Sequence, residues 1–392
     1  MTPLSRILGR GLGASSSLSG SVTESDKAGK GGTIIKTVDT IRVDGAMGEG
    51  GGQIIRTAVA LAAITGKPTE IVNIRAGRSK PGLQAQHLTS VKAAGLLCHA
   101  EMRGAELGSQ FLRFVPTTEV KSSYETFDVS EARQGGSAGA TGLVLQTVAL
   151  PLALASASNS VSTTFRGGTH VPMSPSADYI EYVFLPALRE MGVLAKFTVS
   201  EAGFFPKGGG EISLSLTSPP NEGIDRTERG KLKRFVAVIT TAQLPNHVAE
   251  RGLAQLQKDL KDYGVPVIPV LKSLPSPGAG AAVLLVAECE KTVEGWQSLG
   301  ERGKPMERVA SDAARDFKKW FATGMGTDRY LADQLVLPSA LCSSLCAAPS
   351  RWTTSHVSEH LRTVIMVLSL YLPVSLLLTE NADGSGLVEV KA

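Results

Sequence analysis

A ring of glycines around one carboxylate, a cationic loop without acids and a histidine at the start of a helix are the parts of this chain whose residue types could do chemistry. In DGAMGEGGGQIIR, Asp44 to Arg56, Glu49 stands among glycines just before a helical pattern. The N–H groups of such a turn can approach an anion, and a turn feeding a helix N-terminus has the form of a phosphate cradle, although the Gly-Lys-Ser/Thr ending of a P-loop is missing. The same glycines also suit an ordinary tight turn. Glu49 has little packing to do among them and is placed to hold Mg2+ or Mn2+ on a triphosphate. Next comes RAGRSKPGLQAQH, where Arg75, Arg78 and Lys80 sit on a loop closed by Pro81 and Gly82. From Ile71 to Ala100 there is no Asp or Glu, while these three cations and Lys92 lie there with His87 and His99. A solvated loop would intersperse acids, so contact with a polyanion is the better reading.

Of the six histidines, His99, His170 and His247 read as core or surface residues. His360 differs in context: in SEHLRT it opens a helix one loop away from YLADQ. Burial and the helix dipole keep an imidazole neutral there and leave one ring nitrogen free as a nucleophile. A packing role fits the same position.

The elements that must position these residues repeat. GEGGGQIIRTAVALAAITGKP, GGSAGATGLVLQTVALPLALASA and TDRYLADQLVLPSALCSSL each lead from a polar or Gly-rich start into an Ala/Leu/Val helix. Each is followed by a second amphipathic helix, in QAQHLTSVKAAGLL, SADYIEYVFLPALREMG and VSEHLRTVIMVLSL. Strand-like TEIVNI, SVSTTF and EISLSL lie between them, so the pattern predicts three α/β units packed about a pseudo-threefold. Between the second and third units, FVAVITTA, NHVAERGLAQLQKDLKDYG, VPVIPVL, AAVLLVAE and MERVASDAARDFKKWFA predict strand, helix, strand, strand, helix. They form an inserted domain from about Gly223 to Thr323.

Composition limits the function classes. Lys plus Arg exceed Asp plus Glu by four (40 − 36), which excludes a strongly basic, nonspecific nucleic-acid binder. The four cysteines are scattered and fit a reduced intracellular protein; the C-x3-C of Cys342 and Cys346 reads as helix packing rather than zinc. Leu361 to Leu378 is almost wholly apolar, but Arg362 and Pro373 argue for a buried helix followed by a buried strand instead of a membrane span. The start MTPLSRILGRGLG lacks the apolar core of a secretory signal. Residues to about Gly32 read as a disordered tail, with a mitochondrial presequence as the weaker alternative.

Taken together, DGAMGEGGGQIIRTAVALAAITGKP, IRAGRSKPGLQAQHLTSVKAA, GAELGSQ, GSAGATGLVLQTVALP, FPKGGGEI, YLADQLVLP and SEHLRT resemble the RNA 3′-terminal phosphate cyclase family from about Asp44 to Leu378. The resemblance implies an α/β (α+β) fold whose large domain, residues 36–222 and 324–392, holds three units like the C-terminal domain of translation initiation factor 3. A thioredoxin-like insert at 223–323 and a disordered extension at 1–35 complete it. It also implies ATP-dependent conversion of an RNA 3′-phosphate to a 2′,3′-cyclic phosphodiester, with Mg2+ or Mn2+ and a histidine–AMP intermediate on His360. ATP would be contacted by Gln146, Tyr330, Leu331, Ala332, Asp333 and Gln334. Glu49 would lie by the metal and triphosphate, and Arg56, Arg75, Arg78, Lys80 and His87 would line the groove for RNA. The expected particle is a monomer or homodimer of the nucleus or cytoplasm. Arg362 and Val364 depart from the family, which more usually has an uncharged residue and Asn there. Two other classes compete. A noncatalytic ribosome-assembly branch lacks the histidine that SEHLRT supplies, and enolpyruvyl transferases share the repeat architecture without the insert.

Overall fold

The computed structural model describes residues 39–121, 125–129, 139–156 and 160–392. The N-terminal extension and the leading glycines of GGSAGATG lie outside them. Strands β1 (Ile41–Asp44), β2 (Thr69–Val72), β3 (Glu101–Arg103) and β4 (Leu112–Val115) form a sheet ordered β1-β2-β4-β3. The first pair is parallel and the others antiparallel. Helix α1 (Gly52–Thr65) crosses from β1 to β2, and α2 (Ala85–Leu97) leads on toward β3. A parallel pair needs such a crossover.

The same plan recurs in β5 (Glu125–Asp128), β6 (Val161–Gly167), β7 (Ala195–Glu201) and β8 (Gly210–Leu216), ordered β5-β6-β8-β7 with only the first pair parallel. Its helices are α3 (Thr141–Ala155) and α4, which runs as Ala177–Tyr179, a π-helical turn Ile180–Phe184 and Leu185–Glu190.

A short strand β9 (Asp225–Arg226) then precedes a separate sheet of β10 (Leu232–Ala242), β11 (Val267–Ser273), β12 (Gly280–Cys289) and β13 (Val293–Leu299), ordered β11-β10-β12-β13. Helices α5 (Asn246–Leu260) and α6 (Met306–Thr323) belong to it. The sequence pattern omits β13, because VEGWQSL breaks its apolar run with Gly295 and Gln297.

The chain next forms α7 (Leu331–Gln334), α8 (Val336–Cys346), β14 (Ser350–Thr354), α9 (Glu359–Ser369), β15 (Ser375–Glu380) and β16 (Gly386–Lys391). Strand β9 pairs parallel with β14, giving the order β9-β14-β16-β15 and the orientations of the first two sheets. The run from Leu361 to Leu378 is indeed split into helix and strand, but β15 is a half-exposed edge rather than buried, with Leu377 53% exposed. Among the described residues no helix is long and apolar enough to cross a membrane.

Helix α1 is buried on nearly every side, as an Ala/Ile/Val sequence without a polar face requires, and it packs on α2, α3 and α9. It ends at Gly66, whose φ of 68° suits a residue without Cβ. In the inserted sheet, Phe235, Ala237 and Ile239 of β10 face α5 and α6, while Val236 and Val238 join the core of the three-sheet body. Both faces are covered, which explains the unbroken buried run in β10. Phe317 centres the insert's own core, edge-on to Phe235 at 4.9 Å and to Trp296 at 5.3 Å. Phe317→Ala is expected to cost about 3–5 kcal/mol, read as a lower urea midpoint by tryptophan fluorescence.

Candidate active site

The glycine turn before α1 and the first turn of α9 meet. Ser358 caps α9 by accepting the Leu361 N–H at 3.1 Å, which places His360 in the first turn, where the helix dipole opposes its protonation. Thr363, one turn on, donates to the Glu359 carbonyl at 2.6 Å and accepts from the Glu49 N–H at 3.4 Å. Gly48 takes φ 52° directly against it, and a Cβ there would stand 2.3 Å from Thr363 Oγ1. The glycine is therefore needed for both its dihedral angle and its lack of a side chain.

This docking brings Glu49 to His360, with Oε2 2.7 Å from Nε2. The other carboxylate oxygen accepts from Arg78 Nη2 at 2.6 Å, and the same nitrogen reaches the Glu49 carbonyl at 2.9 Å. On the far side of the ring, His360 Nδ1 contacts Gln53 Oε1, while the Gln53 side chain also hydrogen-bonds to Asp333. With its amide nitrogen turned to Asp333, Gln53 offers His360 Nδ1 only an acceptor, and the Glu49 carboxylate offers Nε2 only an acceptor, so Nε2 presents a lone pair only when Glu49 moves off it. The His360 side chain remains 47% exposed, so the ring is held in place and reachable. Burial lowers its pKa against the pull of Glu49, and Arg56, Arg78 and Arg329 lower it further.

Asp333 sits at the centre of the charge balance. Burial first, and then the neighbouring Asp328, push its pKa up to about 8 against the Gln53 hydrogen bond and the charge of Arg56. Burial brings Arg56 down to about 10 in spite of Asp333. His87 is held at about 3 by burial, Arg56 and Arg75, so it stays neutral. Its Nδ1 accepts the Gln84 N–H at 3.1 Å in the cap of α2, leaving Nε2 as the proton-bearing nitrogen beside Gly52. A Cβ on Gly52 would lie 2.2 Å from His87 Nε2 and 3.0 Å from Arg56 Nη1.

The remaining residues singled out in the sequence divide between two other places. Gln146 Nε2 donates to Gln334 Oε1 at 2.7 Å, and Gln334 Nε2 donates to the Tyr330 carbonyl at 2.8 Å and to Tyr179 Oη at 3.4 Å. Tyr330 is 53% exposed, with the Arg329 guanidinium 4.8 Å from its ring centroid. Leu331 and Ala332, expected from the sequence to contact a ligand, are instead fully buried, with their N–H groups spent on Asp328 Oδ1 and the Asp328 carbonyl, so they support the turn rather than face solvent. Arg75, at φ 52°, spends its guanidinium on the Lys80 carbonyl at 2.6 Å and the Gly82 carbonyl at 3.0 Å, shaping its own loop. Lys80 is exposed on that loop. Gln53, Thr363, Asp328 and Arg329 are site residues that sequence reasoning passed over. Only Gln53 carried a signal, as a polar side chain that, with Arg56, opens a mostly apolar α1.

Comparison with known proteins decides the family. A sequence profile described as RNA 3′-terminal phosphate cyclase matches residues 47–377. The chain belongs to the RNA 3′-terminal phosphate cyclase family. A protein of that name from Methylococcus capsulatus is 44% identical over 352 residues, 89% of this chain and 96% of the relative. Another from Nostoc punctiforme is 43% identical over 332 residues, covering 84% and 94%. One from Ignicoccus hospitalis is 38% identical over 333 residues, covering 83% and 91%. In this cyclase-family chain the departures near the histidine have simple settings: Arg362 pairs with Glu380 and Glu359 at the surface, and Val364 is buried in the core.

The raised pKa of Asp333 fixes the sign of a pH effect. The folded state holds this proton more tightly than the unfolded chain, so the contribution is fully present below the unfolded carboxylate pKa and is lost as pH rises toward about 8. Asp333→Asn, which cannot ionise, is expected to gain stability relative to the parent as pH is raised from 5 to 8, with the gap levelling off above that. Urea midpoints across the range check it; parallel curves would show that Asp333 ionises normally.

Proposed function

We propose that the chain converts RNA 3′-terminal phosphates to 2′,3′-cyclic phosphodiesters at the expense of ATP, through AMP carried on His360. The observation that carries this reading is one imidazole held between Gln53 and Glu49, with Asp333 of α7 on the same network. Glu49 covers Nε2. When the carboxylate turns away, burial and the guanidinium groups of Arg56, Arg78 and Arg329 disfavour a proton on the ring. The Nε2 lone pair is then free to attack.

ATP is the substrate of the first step. Its triphosphate is proposed to lie against the N–H groups before α1 and against Arg78 and Arg56, and its nucleoside against Tyr330, Asp333, Gln334 and Gln146, with buried Leu331 and Ala332 supporting that turn from beneath. His360 Nε2 forms a bond to the α-phosphorus as the bond to pyrophosphate breaks. Mg2+ or Mn2+ would add charge neutralisation on the phosphates. Glu49 can supply one oxygen ligand, and among the described residues no group of three carboxylate, His or Cys ligands is assembled, so most of the coordination would come from the nucleotide.

In the second step an oxygen of the RNA 3′-phosphate takes the AMP phosphorus, breaking the N–P bond and restoring His360. The ribose 2′-OH then attacks the activated 3′-phosphorus, gives up its proton and expels AMP. Both reacting groups lie on one ribose, and this proximity supplies much of the advantage. The 2′-OH is also what makes the substrate RNA rather than DNA. Arg75, Lys80 and His87 complete the proposed RNA side of the groove, Arg75 and His87 mainly by shaping it.

For the fold we propose three units like the C-terminal domain of translation initiation factor 3, in residues 36–222 and 324–392, and a thioredoxin-like insert at 223–323. The shared strand order of three sheets supports it, with Asp225–Arg226 serving the sheet of β14. Incubation with α-labelled ATP is expected to leave label on the wild-type chain and none on His360→Ala, whose melting temperature should stay within a few degrees because the ring packs little. Label retained on the variant would place the nucleophile elsewhere.

A further inference from the structure

Glu294 lies on β13 of the inserted sheet and is completely buried. One oxygen accepts the backbone N–H of Asp328 at 3.0 Å; the other accepts from Arg226 Nη1 at 3.0 Å. Arg226, also fully buried, donates to Glu190 from Nε at 2.9 Å and from Nη2 at 2.7 Å. Asp328 in turn uses Oδ1 to accept the N–H groups of Tyr330 at 2.9 Å and Leu331 at 2.7 Å, which starts α7, while its Oδ2 is buried without a hydrogen-bond partner. From Tyr330 the chain of contacts reaches Gln334 and then Gln146.

An insert could be fixed to its neighbour without burying carboxylates. Much of this one is fixed in other ways: Val236 and Val238 pack into the three-sheet core, and the Phe204 ring lies so close to Gly280 that a Cβ there would be 2.1 Å from it. Burying Glu294 and Asp328 side by side with one arginine costs free energy that apolar packing would not. The expense falls at the one turn that carries Tyr330 and Gln334.

We infer that Glu294 is a positioning residue: through the Asp328 backbone, the insert sets the first turn of α7 and thereby the groups that receive the nucleotide. The functional part rests on the reading of α7 as an ATP contact, while the structural part stands apart from it.

Two measurements on the full chain separate these parts. In hydrogen exchange, Glu294→Ala should raise the exchange rate of amides 328–334 at least tenfold. Val309→Ala, which thins the insert's own core at a fully packed site of α6, should leave those amides unchanged. In covalent capture from α-labelled ATP, Glu294→Ala should raise the half-saturating ATP concentration at least tenfold yet reach the wild-type end point. Glu294→Gln, which keeps one acceptor, should shift it less, and Val309→Ala not at all. If Glu294→Ala does not fold, Glu294→Gln is read by the same two measurements and should show a smaller rise in each.

Unchanged exchange and half-saturation in the Glu294 variants overturn the inference, as does an equal change in Val309→Ala. If the wild type takes no label, the ATP reading fails, and the exchange result still decides whether Glu294 seats α7.

Discussion

The seating of the glycine turn on the first turn of α9 is the contact on which the rest of the site depends. It joins residues more than three hundred positions apart, as the 314-residue separation of Glu49 and Thr363 shows. Only glycine at position 48 allows it, because the Thr363 hydroxyl fills the space a Cβ would take. Once the turn is seated, Glu49 meets Nε2 of the His360 ring and Gln53, the second residue of α1, meets Nδ1. The imidazole is thus fixed by backbone geometry rather than by a pocket of its own.

The charges around that ring are balanced by burial as much as by pairing. Arg56, Arg78 and Arg329 surround it, and Asp333 answers them with a carboxyl that burial and Asp328 keep largely protonated below about pH 8. The site consequently stays electropositive where a polyphosphate would lie, although a carboxyl group sits in its midst. Neutral His87 adds no positive charge and serves instead to cap α2 and crowd Gly52. The acid-free stretch around it is a better guide to the field than the small net charge of the whole chain.

Much of the organisation was legible in the sequence, for identifiable reasons. The paired helices announced themselves by periodicity, and the glycine turn and the cationic loop by composition, because these features are local. Strand β13 was hidden, since Gly295, Trp296 and Gln297 interrupt its alternation. The exposure of β15 was hidden too, since LLL reads as core whether or not a neighbouring strand covers it. At the site, His360 and Glu49 could be singled out by residue type and context, and the YLADQ segment only by its resemblance to the cyclase family. Thr363, Asp328 and Glu294 could not, because their importance lies in which distant group they touch, and spacing along the chain carries no record of that.

Strand β9 and its partner β14 lie on opposite sides of the insert, with Asp225 and Arg351 separated by 126 residues yet directly paired. On a ribosome adding about 5–20 residues per second, Asp225 therefore waits roughly 6–25 s for its neighbour to be made. Over that interval the first two sheets and the whole insert can fold while the segment bearing His360 does not yet exist. The histidine is added late, and with it the helix that covers α1, so the first unit completes its packing only when the third has been made.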